Sequence, residues 1–263
     1  MAKDDALRDL QHTWNELGKS DPLWAILAEP DKKGNRWNPD AFFETGVKEI
    51  DRLLKDGSSL GLPEQRRRAL DFGCGAGRLT QALGDKFDEV CGVDIAPSMI
   101  DVAREHNRHG DRCQYFVNDA SDLRLFEDDR FDFIVTVIVL QHIDPQHARV
   151  YIRELVRVLA PGGLLIFQVP DRRTTRRPLR EIMDRVRPRV PPLALRYYKA
   201  IRRAIFQARS RITGAPPPPW EMHGVPRGEV ERIVGEGGGR VVRFDPSGSA
   251  GPGWVDFRYY VTK

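Results

Sequence analysis

Ala69-Leu70-Asp71-Phe72-Gly73-Cys74-Gly75-Ala76-Gly77-Arg78 is the stretch on which the reading of this chain turns. Four residues of strand character run into three glycines at alternate positions, and a helical pattern follows. Glycine tolerates positive φ and has no Cβ, so a ligand can approach the backbone closely at such a turn. In an open α/β sheet, ligands bind beyond the carboxyl ends of the strands, which is where this turn falls. The spacing is not that of a dinucleotide fingerprint, Gly-x-Gly-x-x-Gly. Counted from Gly73 the third glycine would stand at Arg78, and counted from Gly75 at Thr80.

Outward from the turn, apolar runs alternate with helical patterns from about Arg68 to Pro170. Strands are expected at Ala69–Phe72, Glu89–Val93, Cys113–Val117, Phe131–Val139 and Leu164–Val169. Helices are expected at Gly77–Phe87, Pro97–Arg108 and Pro145–Leu159, two of them opening on a proline, which the first helical turn accepts. This alternation implies right-handed βαβ units and a doubly wound parallel sheet. The strands are nearly continuous apolar runs, as expected where helices cover both faces.

Two further polar positions lie at strand ends on the same edge. Cys91-Gly92-Val93-Asp94 closes the second strand, and a carboxylate there can accept both hydroxyls of a ribose. Asn118-Asp119-Ala120 closes the third, where a carboxylate or amide can meet the amino group of a purine.

With these in hand the sequence resembles the class I S-adenosylmethionine-dependent methyltransferases. The resemblance is carried by Leu70–Gly77, Gly92-Val93-Asp94-Ile95-Ala96-Pro97-Ser98-Met99, Asn118-Asp119-Ala120 and Phe131-Asp132-Phe133-Ile134-Val135. Leu140-Gln141-His142-Ile143 and Leu155-Val156-Arg157-Val158-Leu159-Ala160-Pro161-Gly162-Gly163 complete it. It covers residues 65 to 170 strongly and the C-terminal strands weakly. It implies a Rossmann-like, seven-stranded, mostly parallel sheet whose last strand is antiparallel, a part that Trp254–Thr262 fits. It also implies S-adenosylmethionine as cofactor. Gly73, Gly75 and Gly77 would pass its methionyl part, with Cys74 filling the loop. Asp71 would steer the amino group, and Asp94 would hold the ribose. Ile95 and Met99 would pack on the adenosine, Asn118, Asp119 and Ala120 would lie near adenine, and Val137 would wall the sulfonium.

Two histidines are candidates for catalysis. His142 follows the fourth strand, and a base there must reach the acceptor directly or through one water. His223, in Glu221-Met222-His223-Gly224, precedes the last helix. A packed or loop-capping role is the plain alternative for both. The Leu140–Ile143 form resembles small-molecule and sugar methyltransferases, and no Asn-Pro-Pro-Tyr-like sequence follows the fourth strand. The expected activity is therefore O-methylation of a small molecule or glycan, which could be lipid-linked. RNA or another N-methyl acceptor stands as the alternative. A non-catalytic cofactor-fold protein that binds a membrane or partner, and a nicotinamide oxidoreductase, stand further back.

Four segments follow from composition. Residues 1–55 read as a helical N-terminal cap rich in aromatics, with Asp40 as an N-cap and Gly57 to Pro63 as a linker. For Trp37, Phe42 and Thr45-Gly46 we expect packing on the cofactor side, and for Trp14 and Trp24 a core role. Residues 56–170 are the cofactor-binding core. Residues 171–219 are a basic, Pro/Arg-rich helical insert. Residues 220–263 return to α/β character, with a helix at Arg227–Glu236 and strands at Arg240–Phe244 and Trp254–Thr262.

Charge sharpens this division. The 263 residues carry a formal charge of only +4. Between Asp171 and Ile212, however, 14 Arg/Lys stand against 3 Asp/Glu, a balance of +11 that leaves −7 elsewhere. Leu193, Tyr197, Ile201 and Ile205 recur every four residues there, so an amphipathic basic helix is expected. The basic segment 172–211 suits an anionic partner: a membrane surface, a phosphorylated glycan carrier or RNA. RNA is disfavoured because no aromatic platform is interleaved with the arginines. Three cysteines without metal-type spacing (Cys74, Cys91 and Cys113) argue against a disulfide framework or a metal site. No apolar signal core opens the chain and no apolar run reaches a membrane span. The expected location is cytoplasmic, with peripheral attachment to the inner membrane face as an option. Oligomeric state has no signature in the sequence.

Overall fold

The computed structural model describes residues 5–174, 221–251 and 253–263. The chain divides into two compact units. One comprises Met1–Arg172 with Met222–Lys263, and the other Arg173–Glu221. The expected basic helix Leu193–Arg209 and the proline run 216–219 lie outside the described residues.

The first unit is built on a seven-stranded sheet. In chain order the strands are β1 (Arg68–Phe72), β2 (Glu89–Asp94), β3 (Cys113–Val117), β4 (Phe131–Thr136), β5 (Leu159–Arg173), β6 (Arg240–Pro246) and β7 (Trp254–Thr262). Their spatial order is β3-β2-β1-β4-β5-β7-β6. β1 pairs in parallel with β2 and β4, β2 with β3, and β4 with β5. β7 is antiparallel: it runs against β6. Its end also lies at the start of β5, where the Thr262 hydroxyl donates to the Gly163 carbonyl at 2.8 Å. This is the Rossmann-like arrangement expected from the sequence.

Alternation along each strand feeds two cores. Leu70, Phe72, Leu165 and Phe167 face α6 (Pro145–Val158) and α7 (Arg227–Glu236). Ala69, Phe133, Val135, Leu164 and Ile166 face α3 (Pro39–Ser58), α4 (Arg78–Gly84) and α5 (Pro97–Glu105). Each large apolar side chain buried this way stabilises the fold by about 1.5–3 kcal/mol. The buried Asp132 ties β4 to the entry of β1, accepting from Arg67 N at 2.8 Å and Arg68 N at 2.9 Å.

The N-terminal helices α1 (Asp5–Ser20), α2 (Pro22–Ile26) and α3 belong to the same unit. α1 docks on the start of α5. Asn15 Oδ1 accepts from Ser98 N at 3.0 Å, and Gln11 Nε2 donates to Ile95 O at 2.9 Å. A side chain at Gly18 would collide with the Ser98 hydroxyl at 2.3 Å, so this contact needs a glycine.

Several boundaries differ from the sequence expectation, each for a local reason. The N-cap of α3 is Asn38 rather than Asp40: its side chain accepts from Ala41 N, and Pro39 opens the helix. α3 continues past residue 55 to Ser58, into the expected linker. α4 begins at Arg78 because Gly77 has φ 82°, which no right-handed helix admits, and it ends at Gly84. α5 stops at Glu105, and Asn107 then turns the chain by donating to Gly110 O and Cys113 O. β4 ends at Thr136, three residues early, because Ile138 takes φ 63°. β5 is longer than expected. It begins at Leu159 and carries an irregularity near Gly162, whose φ is 71°.

Candidate active site

The strand order reverses between β1 and β4, so the loops leaving those two strands open side by side at the switch point of the sheet. The glycine loop follows β1. Gly73, Gly75 and Gly77 have φ of 78°, 52° and 82°, the region that side-chain-bearing residues rarely adopt. Space is a second reason for them. A Cβ on Gly73 would meet Val139 Cγ2 at 2.4 Å, and one on Gly75 would meet Ile26 Cδ1 at 2.6 Å. The loop is thus walled by the segment after β4 on one side and by the helical cap on the other. Gly73 N and Cys74 N donate to Val93 O, which ties the loop to the end of β2.

Asp71 is 2% exposed, and its carboxylate lies in the seam between β1 and α4. Thr80 Oγ1 donates to it at 2.7 Å. Burial pushes its pKa up to about 6, opposed by the Thr80 hydrogen bond and the nearby Arg78. In this position the carboxylate holds the helix that the glycine loop opens. Cys74 is buried too, and burial raises its thiol well above the ordinary range, which keeps it protonated and unreactive.

Asp94 ends β2 and ties the glycine loop to the turn after its own strand. Its Oδ2 accepts from Gly75 N at 2.9 Å and its Oδ1 from Ala96 N at 2.9 Å. Burial pushes this carboxyl upward, and the backbone donors at Ala96 and Gly75 oppose the shift. A carboxylate offers about four acceptor sites. Backbone donors at Gly75, Ala96 and Ile95 take part of that capacity, and what remains can accept a ligand hydroxyl, which a ribose presents. Asn118 follows β3, with its backbone N–H on Asp94 O at 2.9 Å and its side chain on Asp122 O at 2.9 Å. Asp119 is exposed beside it, and the Ala120 carbonyl accepts from the Tyr151 hydroxyl. Ile95 is half-buried, whereas Met99 is 1% exposed and packs with Ala25, Ala96, Trp14, Leu17 and Ile26. The cap therefore covers the start of α5. Trp37, Phe42 and Phe43 cluster with Ala76, and Thr45 accepts from Arg78 at 3.3 Å, so this part of the cap lies on the glycine loop.

Beyond β4 the chain is strained. Ile138 is β-branched and sits in the left-handed region, at a cost of about 1–3 kcal/mol. Its N–H donates to Gln168 Oε1 at 3.1 Å. Val137 and Val139 flank it, half-buried. His142 is 7% exposed, in a short 3₁₀ turn (Leu140–His142). The Trp14 ring from α1 lies 5.6 Å from its imidazole. Trp14 is thus a neighbour of the site. His223 comes alongside: its N–H donates to Gln141 O at 2.7 Å, and Val225 N donates to Pro170 O at 2.8 Å. Both candidate histidines therefore belong to one neighbourhood at the ends of β4 and β5.

Sequence reasoning passed over the residues that build this second wall. Gln168 and Asp256 are 0% and 3% exposed and bond to each other at 3.0 Å. A signal was present: each is a polar residue flanked on both sides by large apolar residues within its strand. Ile26 and Tyr115, against Gly75 and Gly77, carried no such signal. Among the described residues no group of three His, Cys, Asp or Glu is arranged to hold a metal ion.

Comparison with known proteins agrees with this geometry. Residues 69–163 match the family model described as "Methyltransferase domain". That stretch is similar to methyltransferase domains, and the sheet order and the glycine loop are those expected of a class I S-adenosylmethionine-dependent methyltransferase. The chain is 34% identical over 161 residues to the ubiquinone biosynthesis O-methyltransferase of Cereibacter sphaeroides (strain ATCC 17025 / ATH 2.4.3), covering 60% of this chain and 59% of that protein. It is 36% identical over 166 residues to the protein of the same name from Coxiella burnetii (strain Dugway 5J108-111), covering 62% and 58%. The chain thus spans less than two thirds of the length of the curated relatives it matches. Among solved structures, magnesium protoporphyrin IX methyltransferase from Synechocystis PCC 6803 with bound SAH superposes with a TM-score of 0.60 at 16% identity, over 98% of this chain and 100% of that one. The PH0226 protein from Pyrococcus horikoshii OT3 gives 0.52 at 21% identity, over 84% and 91%. At these identities the likeness shows the fold.

Proposed function

We propose that the protein is an S-adenosylmethionine-dependent O-methyltransferase acting on a small molecule or glycan. The observation that carries this reading is the pairing of a three-glycine loop after β1 with the Asp94 carboxylate that ends β2 beside it. Gly73, Gly75 and Gly77 would pass the methionyl part of the cofactor, with Asp71 and Cys74 beneath it. Asp94 would hold the ribose. Asn118, Asp119 and Ala120 would lie toward adenine, Ile95 and Met99 would support the nucleoside, and Val137 would wall the sulfonium. The cofactor supplies an activated methyl group. The protein then has to hold an acceptor atom in line with that carbon and keep water out.

The choice of oxygen rests on the curated relatives, which carry O-methyltransferase in their names, and on the histidines at the acceptor side, His142 and His223. Both stand where a side chain could orient the acceptor, and His223 is the candidate for taking its proton. The test is methyl transfer from methyl-labelled S-adenosylmethionine to a panel of ubiquinone-biosynthesis intermediates, sugars and carboxylic acids, read by mass spectrometry. Label on an oxygen is expected. Label only on an amine or an RNA, or on none of the oxygen acceptors, overturns the reading.

The +11 segment between Asp171 and Ile212 supports an anionic membrane surface as a second partner of a cytoplasmic, peripherally attached enzyme. Among the described residues no helix is long and apolar enough to cross a membrane. Co-sedimentation with anionic liposomes that fades at high salt is expected. Equal binding to neutral liposomes contradicts it.

A further inference from the structure

The buried polar chain behind the β4 loop has a fixed direction. It begins at the Ile138 N–H, a group that can only donate, 3.1 Å from Gln168 Oε1. That contact sets the sense of the Gln168 amide. Its NH₂ group then points one hydrogen at Asp256 Oδ2, 3.0 Å away, and the other at Gln141 Oε1, 3.2 Å away. Asp256 is the acceptor end, because Gly248 N and Ala250 N donate to its carboxylate at 2.9 and 3.2 Å. With its oxygen facing Gln168, Gln141 turns its NH₂ group to His142 Nε2, at 3.1 Å.

We propose that this chain holds His142 as a neutral imidazole with its proton on Nδ1, and that Gln141, Gln168 and Asp256 are the positioning residues that set this tautomer. Reversing any link costs a paired clash. A flipped Gln141 sets NH₂ against the NH₂ of Gln168. A flipped Gln168 sets NH₂ against the Ile138 N–H and its oxygen against the Asp256 carboxylate. All four residues are at most 7% exposed, so such a clash would fall in the interior, where an unpaired polar group is costly.

For the chemistry, this deepens the proposed function and rests on it. The Nε2 lone pair is engaged by Gln141, so a proton arriving there would face a second donor. With Nδ1 already carrying its proton and Nε2 engaged, His142 does not take the acceptor's proton. The acceptor oxygen arrives as an anion, as phenols, enols and carboxylic acids can, or it loses its proton to another group. Its lone pair forms the new C–O bond. The S–C bond breaks with its electron pair left on sulfur, which discharges the sulfonium, and no proton remains to be placed.

The test is ring-nitrogen NMR of the full chain, ¹⁵N-labelled in its six histidines, at pH 8 without cofactor or acceptor. His142 is assigned by the signal lost in His142→Gln. The expected signature is a single tautomer, with Nδ1 protonated and Nε2 of the unprotonated type. In Gln141→Met and Gln168→Met the ring is released, and Nε2–H signal appears. An Nε2–H ring in the native protein overturns the proposal, as does an unchanged tautomer in both variants. If neither variant folds, the native spectrum alone decides. The measurement needs no turnover, so a failed methyl transfer and a wrong tautomer are separate outcomes.

Discussion

The loop that leaves β1 and the loop that leaves β4 lie side by side, yet they are held by different means. The first is held by backbone geometry: three glycines at positive φ, with Asp94 accepting from Gly75 N and Ala96 N. Its partners are close in the chain or stand at the ends of neighbouring parallel strands. The second is held by side chains from far away. Gln168 is 30 residues from Ile138 and 88 from Asp256. A loop fixed by glycines tolerates almost no added atoms. A loop fixed by a buried amide chain tolerates added atoms better than a lost hydrogen bond.

The sharpest way to break that contrast is at the joint between the two loops. Gly73→Ala adds a Cβ 2.4 Å from Val139 Cγ2 at a φ of 78°. Left-handed strain of about 1–2 kcal/mol and overpacking of about 1–3 kcal/mol should together remove about 3 kcal/mol of stability, read by urea denaturation, and abolish cofactor binding. A cost below about 1 kcal/mol would mean that the loop is slack.

Behind the β4 loop, Asp256→Ala leaves Gly248 N, Ala250 N and Gln168 without their acceptor. A loss of about 2–3 kcal/mol is expected, with methyl transfer reduced and cofactor affinity changed by less than about threefold. A large loss of cofactor affinity would show that the two walls are not separate.

The third test uses pH. Asp71 is pushed up to about 6 by burial, whereas in the unfolded chain it titrates near the ordinary value of about 3.9. The folded state therefore keeps this proton longer. The stability it contributes is complete below about pH 4 and is lost as pH rises through 6. Asp71→Asn avoids that loss, so it should be more stable than the native protein by about 2–3 kcal/mol at pH 8 and about equal near pH 4. A variant equally stable at both pH values would contradict the burial of an ionisable group there. The smallest effect is at the thiols. Cys74, Cys91 and Cys113 are buried, with Cys91 at about 11 and Cys113 at about 12. Native protein at pH 8 should resist a thiol reagent that labels all three in urea, and fast native labelling would contradict the packing.

The same contrast explains what could be read from the sequence. Gly73, Gly75, Gly77, Asp94 and Asn118 announce themselves because glycine spacing and strand-end polar residues are local signals. The sheet and its antiparallel last strand follow from the alternation and from the resemblance. The network behind His142 does not announce itself. The histidine was visible as a candidate, but its partners come from β5 and β7, and only the fold brings them together. The end of β4 was misjudged for a related reason. Val137-Ile138-Val139 has the composition of a strand, and the positive φ of Ile138 is imposed by tertiary contacts that override that propensity. Trp14 shows the same limit: an aromatic on an amphipathic helix looks like core, and here it borders His142.

The central claim is that the glycine loop and Asp94 form one nucleoside-binding edge, and calorimetric titration of the dialysed full chain with S-adenosylmethionine tests it most directly. One equivalent should bind, and Asp94→Ala should weaken binding about 10- to 100-fold, as expected for losing charge-assisted hydrogen bonds. No binding by the intact chain, or equal binding by Asp94→Ala, would contradict it.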